Sequence, residues 1–332
     1  MKPNNICLII PYFGKFPSYF QIWLDSAKLN DDCVDFCLIT DQEVKDYKVP
    51  QNVKIIKQEF RQLVNYINKK FDFEVAIKKP YKLCDLKPAY GDIFASLVKG
   101  YDYWGFCDLD LIFGKLSPFL KKYSLIEDKI DKFGCLGHLE IIRNTKENNL
   151  VYKFDDEQKM RNYRYVFSRP YAYAFDEQFS FNILAKEKHL KIEDLLQDQP
   201  FSDIYPFSYR FRDSFKDSRN VSYKYFIFDK GKGLKEINIL NDGRRVERNS
   251  MYLHLQKRVM RCNITSEYNN LIIYPNAIDY LERFDREKIY KPSKIQDFIY
   301  KSQLKLKQIK KVNSIKFAFQ KLQLKQFFKN SN

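Results

Sequence analysis

At 332 residues and a net charge of +16, the chain is long enough for one sizeable α/β domain with an appendage, and it contains no run of eighteen apolar residues that would cross a membrane. Its seven cysteines, at positions 7, 33, 37, 84, 107, 135 and 262, include no C-x-x-C pair, and several sit inside apolar runs, which argues against a disulfide framework and a zinc site. The charge is uneven: from Lys301 onward there are nine lysines and no acid, so the body is only moderately basic. Such a surface attracts nucleic acid, anionic lipid or phosphorylated substrates, and charge alone does not choose among them.

The first five residues lead directly into the apolar run Ile6-Cys7-Leu8-Ile9-Ile10, with no stretch that resembles a signal peptide, so the protein is expected in the cytoplasm. That run reads as a buried strand followed by a loop, Pro11-Tyr12-Phe13-Gly14. Ser18 is a plausible N-cap for a helix carrying Tyr19, Phe20, Ile22, Trp23 and Leu24. The loop lacks the spaced glycines of a dinucleotide fingerprint or P-loop. Strands follow at 34–40, ending in Thr40-Asp41, and at 53–56, then a helix over 58–70.

Residues 81–94 mix polar and apolar positions and lead into a helix ending near Gly100. Next comes an aromatic strand, 101–107, then 133–136 as a further strand, a charged helical region over 145–162, and a helix opened by 171–178. Tyr223 to Phe228 alternates like a strand, and Gly231-Lys232-Gly233 suits a hairpin turn. Alternation of strands and helices predicts an α/β fold with a mostly parallel central sheet flanked by helices. The expected division is a catalytic domain over 1–285 and a basic amphipathic helical tail over 286–332, whose lysines alternate with Phe and Leu as in helices that lie in a membrane interface.

The central motif is the strand 101–107, which delivers Asp108 and Asp110 to its C-terminal end. Ligands of open α/β sheets bind just beyond that end. Residues i and i+2 of an extended segment share a side, so both carboxylates can aim at one hard cation such as Mg²⁺ or Mn²⁺. An ordinary acidic turn is the competing account. Of three histidines, His189 sits among lysines at the surface, His138 follows a strand and suits either a buried partner or an acceptor site, and His254 lies late in the chain beside Lys257 and Arg258. Imidazole together with carboxylates suits Mn²⁺, which makes His254 a candidate ligand. Asp176-Glu177 fits either a favourable charge at a helix start or a carboxylate facing an acceptor hydroxyl. Tyr103 and Trp104 read as packing.

Three segments in this order, Lys82-Leu83-Cys84-Asp85-Leu86-Lys87-Pro88-Ala89-Tyr90-Gly91-Asp92-Ile93-Phe94, Asp102 to Gly114, and His254-Leu255-Gln256-Lys257, resemble bacterial GT-A-fold glycosyltransferases of polysaccharide synthesis. The resemblance implies a metal site of Asp108, Asp110 and His254, with Asp110 favoured as a direct ligand. It implies nucleotide contacts from Pro11, Tyr12, Phe13, Gly14 and Asp41, donor contacts from Lys82, Asp85 and Lys87, and diphosphate contacts from Lys257 and Arg258. The implied activity is transfer of a hexosyl group from a nucleotide sugar, with uridine favoured, to a saccharide or polyprenyl-diphosphate-linked acceptor of capsule or O-antigen, with Mn²⁺ or Mg²⁺. The enzyme would sit on the inner face of the cytoplasmic membrane, held by the tail. The Lys-Pro-Trp ending that follows the late histidine in some retaining relatives is absent, which leaves stereochemistry open. A basic nucleic-acid-binding protein is the competing class, disfavoured because the charge is concentrated at one end and no zinc finger or RRM signature occurs. A metal-dependent phosphohydrolase would need more His and Asp ligands.

Overall fold

A computed structural model describes residues 6–283, apart from 126, 128, 155–157, 178, 207, 218 and 257, together with 298–300 and 302. The strands of its first half are β1 (Ile6–Pro11), β2 (Val34–Thr40), β3 (Val53–Lys57), β4 (Tyr103–Cys107), β5 (Leu111–Phe113), β6 (Lys132–Phe133), β7 (Leu139–Arg143) and β8 (Ile192–Glu193). Those of the second half are β9 (Ser202–Asp203), β10 (Val221–Asp229), β11 (Gly233–Leu240), β12 (Arg245–Ser250), β13 (Tyr252–His254), β14 (Arg261–Cys262), β15 (Asn270–Tyr274) and β16 (Ala277–Tyr280).

The main sheet runs β3-β2-β1-β4-β7-β6-β8. Strands β3, β2, β1 and β4 are mutually parallel, β7 runs against both β4 and β6, and β6 is parallel to β8. Both faces of β1 are covered, as its unbroken apolar sequence requires. Ile6, Leu8 and Ile10 pack with Phe20, Trp23 and Phe36 on one side, while Cys7 and Ile9 meet Leu63, Ile67, Trp104 and Phe106 on the other. The chain progresses from β1 outward to β3, then returns to place β4 on the other flank of β1. The crevice at such a reversal lies beyond the carboxyl ends of β1 and β4.

Two motif glycines serve close packing. A Cβ on Gly91 would lie 2.3 Å from the Trp104 ring, and one on Gly105 would lie 2.1 Å from the Glu140 carbonyl oxygen. Gly91 therefore lets the segment 82–94 lie against the fully buried Trp104, and Gly105 lets β7 lie close against β4.

The second half departs from the expected parallel pattern. A six-stranded sheet, β12-β11-β10-β15-β16-β14, is antiparallel in all but its last pair. The anticipated turn is present: Asp229 Oδ1 accepts from the backbone N–H groups of Gly231 and Lys232, both at 2.8 Å, closing the β10–β11 hairpin. A three-stranded sheet, β5-β13-β9, draws together three distant stretches of chain.

Local boundaries also shift. The first helix spans Phe20–Lys28 with Tyr19 at its N-cap, and the Ser18 hydroxyl donates instead to the Met260 carbonyl at 2.8 Å. Among its described residues, the region 145–162 holds only short helical turns at Lys146–Asn149 and Val151–Lys153 before the separate helix Tyr163–Phe167 begins. No helix among the described residues is long and apolar enough to cross a membrane. Most of the tail 286–332 lies outside the described residues; Tyr300 stacks edge-on against Tyr209 at 5.9 Å.

Candidate metal centre

Strand β4 ends at Cys107, and the backbone N–H of Asp108 is caught by the His138 carbonyl at 2.9 Å. The chain turns through Asp108-Leu109-Asp110 into β5, whose Leu111 pairs with His254 on β13. The Leu255 N–H donates to the Asp110 carbonyl at 2.9 Å and closes that pairing. One ligand atom from each of Asp108, Asp110 and His254 then falls within 4.8 Å of the others. The Asp108 side chain is 36% exposed and that of Asp110 21%, so the cluster opens to solvent on the carboxylate side. Two carboxylates and an imidazole at this spacing fit a divalent cation of the Mn²⁺ or Mg²⁺ type.

His254 is held on both ring nitrogens. Nδ1 lies 2.6 Å from Asp203 Oδ1, and Nε2 lies 3.3 Å from Asp110 Oδ1. Burial would lower its pKa, but Asp110 and Asp203 outweigh burial and raise it to about 10. The neighbouring His138 ring stacks on it at 4.3 Å and 30°, with its own Nε2 2.8 Å from the Tyr252 hydroxyl. Burial and the charge of His254 push His138 down to about 3. The carboxylates favour a proton on His254 while burial disfavours one on His138, and a cation at Nε2 of His254 would displace that proton.

Lys87 reaches the opposite side. Its ammonium lies 2.8 Å from Asp108 Oδ1 and 3.2 Å from Asp176 Oδ2, and it donates to the Gly137 carbonyl at 2.6 Å. Burial opposes its charge, yet Asp108 and Asp176 carry its pKa well above the ordinary lysine value. Asp176 is driven up to about 8 by burial, against the pull of Lys87.

Pro11 is the last residue of β1, and Tyr12-Phe13-Gly14 continue from its carboxyl end. The Tyr12 N–H donates to Ile39 at 2.8 Å, Phe13 packs edge-on against Phe60 at 5.2 Å, and Gly14 is exposed at φ +124°. Burial and then the charge of Asp110 raise the Tyr12 phenol, which places it near the centre. Asp41 follows β2, half-buried, with its carbonyl accepting from Lys57 Nζ at 2.8 Å.

Three expected ligand contacts are corrected. Lys82 and Asp85 are 2% and 0% exposed and pair at 2.7 Å. Lys82 donates to the carbonyls of Val166 and Tyr171, and Asp85 accepts from the N–H groups of Tyr173 and Phe175. Sealed in this way they cannot touch a donor; they hold the loop that presents Asp176. The buried Arg258 spends its guanidinium on the carbonyls of Tyr205, Ser208 and Tyr209, so it anchors a loop rather than a diphosphate. Lys257 lies outside the described residues. Asp176 and Glu177 do not open a helix, because the helix begins at Phe181 and the preceding chain is a loop with Ala174 at φ +54°. Asp176 is buried and Glu177 exposed.

Sequence reasoning missed Asp203, Tyr252 and Gln256 as members of this cluster and left His138 open. Nothing local marks Asp203; only the pairing of β9 with β13, which sets it opposite His254, brings it there. The chain belongs to a family of unknown function, DUF6625, whose model matches residues 8–282. No curated protein matches it.

Proposed function

We propose that this protein is a metal-dependent glycosyltransferase that moves a hexosyl group from a nucleotide sugar, with a UDP-sugar favoured by resemblance, to a lipid-linked or oligosaccharide acceptor of a bacterial surface polysaccharide. The observation that carries the reading is the convergence of Asp108, Asp110 and His254 within 4.8 Å at the mouth of β4, beside the loop that follows β1. A Mn²⁺ or Mg²⁺ ion there would neutralise charge on the departing nucleoside diphosphate. The bond between the anomeric carbon and the diphosphate oxygen breaks, and a bond to the acceptor oxygen forms. The acceptor proton passes to the exposed Glu177 carboxylate, which follows Asp176, itself buried and engaged by Lys87. Lys87, already drawn to Asp108, supplies positive charge on the donor side. The lysine-rich tail would keep the enzyme at an anionic membrane surface where a polyprenyl-diphosphate acceptor resides.

A phosphohydrolase fits less well, although His138 and Asp203 enlarge the ligand inventory. Both lie behind His254, engaged by Tyr252 and by Nδ1, rather than on the face shared with Asp108 and Asp110. The test is thermal unfolding of the full chain with Mn²⁺ and a panel of nucleotide sugars, because a ligand of the folded state raises its melting temperature. We expect a UDP-sugar to stabilise the protein and to be slowly hydrolysed, and Asp110→Ala to lose both effects. Full activity in Asp110→Ala removes the metal assignment. Salt-sensitive retention on DNA without any nucleotide-sugar response moves the protein to the nucleic-acid class.

A further inference from the structure

The ring of His254 has two nitrogens, and which one faces a cation depends on what holds the other. Here Nδ1 meets Asp203 Oδ1 at 2.6 Å, and the same oxygen accepts from Gln256 Nε2 at 2.6 Å. Asp203 is 5% exposed. Its backbone is fixed on β9, with Ser214 N–H donating to its carbonyl at 2.7 Å and Ile204 N–H donating to the His254 carbonyl at 3.1 Å.

Strand β9 is in turn gripped by the antiparallel sheet through one carboxylate. Glu236 of β11 is 1% exposed and accepts from the Ser202 hydroxyl at 2.8 Å and from Arg248 Nε at 2.7 Å through Oε2. Its Oε1 accepts from Lys224 Nζ at 2.7 Å and Asn238 Nδ2 at 2.9 Å. Arg248 also donates to the carbonyls of Gln199 and Phe201, and Lys224 pairs with Asp213, which bridges to Ile204. Through Ser202, Arg248 and Asp213 these contacts reach the stretch 199–204. A buried ionic cluster of this size costs desolvation free energy that an apolar core would avoid, so its use here calls for a geometric purpose.

We infer that Asp203 is the positioning residue of the metal centre, fixing the Nδ1–H form of His254 so that Nε2 faces the carboxylates of Asp108 and Asp110, and that Glu236, acting through Ser202 and Arg248, sets Asp203 in place. The antiparallel sheet is then the jig for a ligand that the parallel sheet cannot reach. This inference rests on the reading that Asp108, Asp110 and His254 hold a cation. Partners that orient ligating histidines are worth about 10–100-fold in metal affinity.

The test measures Mn²⁺ binding by calorimetry and by the electron paramagnetic resonance spectrum of the bound ion, alongside melting temperature in EDTA. It uses the full-length wild type and the variants His254→Ala, Asp203→Asn and Ser202→Ala. Asp203→Asn should bind Mn²⁺ about 10–100-fold more weakly, with an altered spectrum at saturation and a melting temperature in EDTA close to that of the wild type. Ser202→Ala, which removes only the link to Glu236, should weaken binding several-fold, roughly within the lower part of that range. It also keeps the inference testable should Asp203→Asn fold poorly. Wild-type affinity and spectrum in both variants, with His254→Ala impaired, would overturn the positioning role while leaving the metal centre standing. Equal binding by wild type and His254→Ala would overturn both.

Discussion

The two ends of the helix Pro80–Ala89 each carry a buried lysine beside an aspartate, and they do different things. At the first end Lys82 and Asp85 lie within the interior, and the bonds described for them go to each other and to the backbone of 166–175. At the second end Lys87 shares its charge between Asp108, which is 36% exposed, and buried Asp176. The residue types are the same and the motif is one continuous stretch. What separates a fastener from a site is whether one partner remains open to solvent and to a ligand.

The largest effect should come from the closed end. Lys82→Ala leaves Asp85 buried without its cation and should cost about 3–5 kcal/mol, read as a large fall in the urea midpoint. Replacing both partners together, as Lys82→Met with Asp85→Leu, should recover part of that loss. Full stability of Lys82→Ala alone would break the distinction.

Lys87→Met should be milder in stability, on the order of 2 kcal/mol, because Asp108 can turn to water while Asp176 and the Gly137 carbonyl lose a donor. Its signature should be functional: nucleotide-sugar binding in the presence of Mn²⁺ falls at least tenfold, by roughly the 1.4 kcal/mol or more expected of a lost charge-assisted contact. A Lys82 variant that still folds should retain that binding.

A further effect is a slope with pH rather than a single loss. Asp176 has an ordinary pKa of 3.8 and a folded value of about 8, so the folded state binds its proton more tightly than the unfolded chain does. That contribution is fully present below pH 3.8 and is lost as pH rises through about 8. Melting temperature should therefore decline across this window more steeply in the wild type than in Asp176→Asn. Parallel curves would show that Lys87 satisfies Asp176 more fully than its burial suggests.

The parallel strands were legible because continuous apolar runs have few other destinations, and β1 to β4 lie where their sequences predict. Asp108, Asp110 and His254 were legible because chemistry-bearing residues stood at strand ends. The antiparallel half was mostly illegible beyond its hairpin: β12, Arg-Val-Glu-Arg-Asn-Ser, is a largely exposed edge with no apolar alternation. Lys82 and Asp85 misled for the opposite reason. A charged motif suggests a ligand, and only the folded chain reveals that backbone amides ninety residues away consume it. Asp203 was invisible because its meaning lies in a two-residue strand pairing.

That three-stranded sheet, built from 111–113, 202–203 and 252–254, has a bearing on how the molecule is made. As a ribosome delivers the chain from its N-terminus, β1 to β4 can collapse early, whereas the cluster of Asp108, Asp110 and His254 stays incomplete until β13 emerges. Contacts of such long sequence separation close late. A truncated or stalled product ending before residue 254 would then own a well-packed half with Asp108, Asp110 and His138 but not His254, and so would be released with the side-chain cluster unfinished.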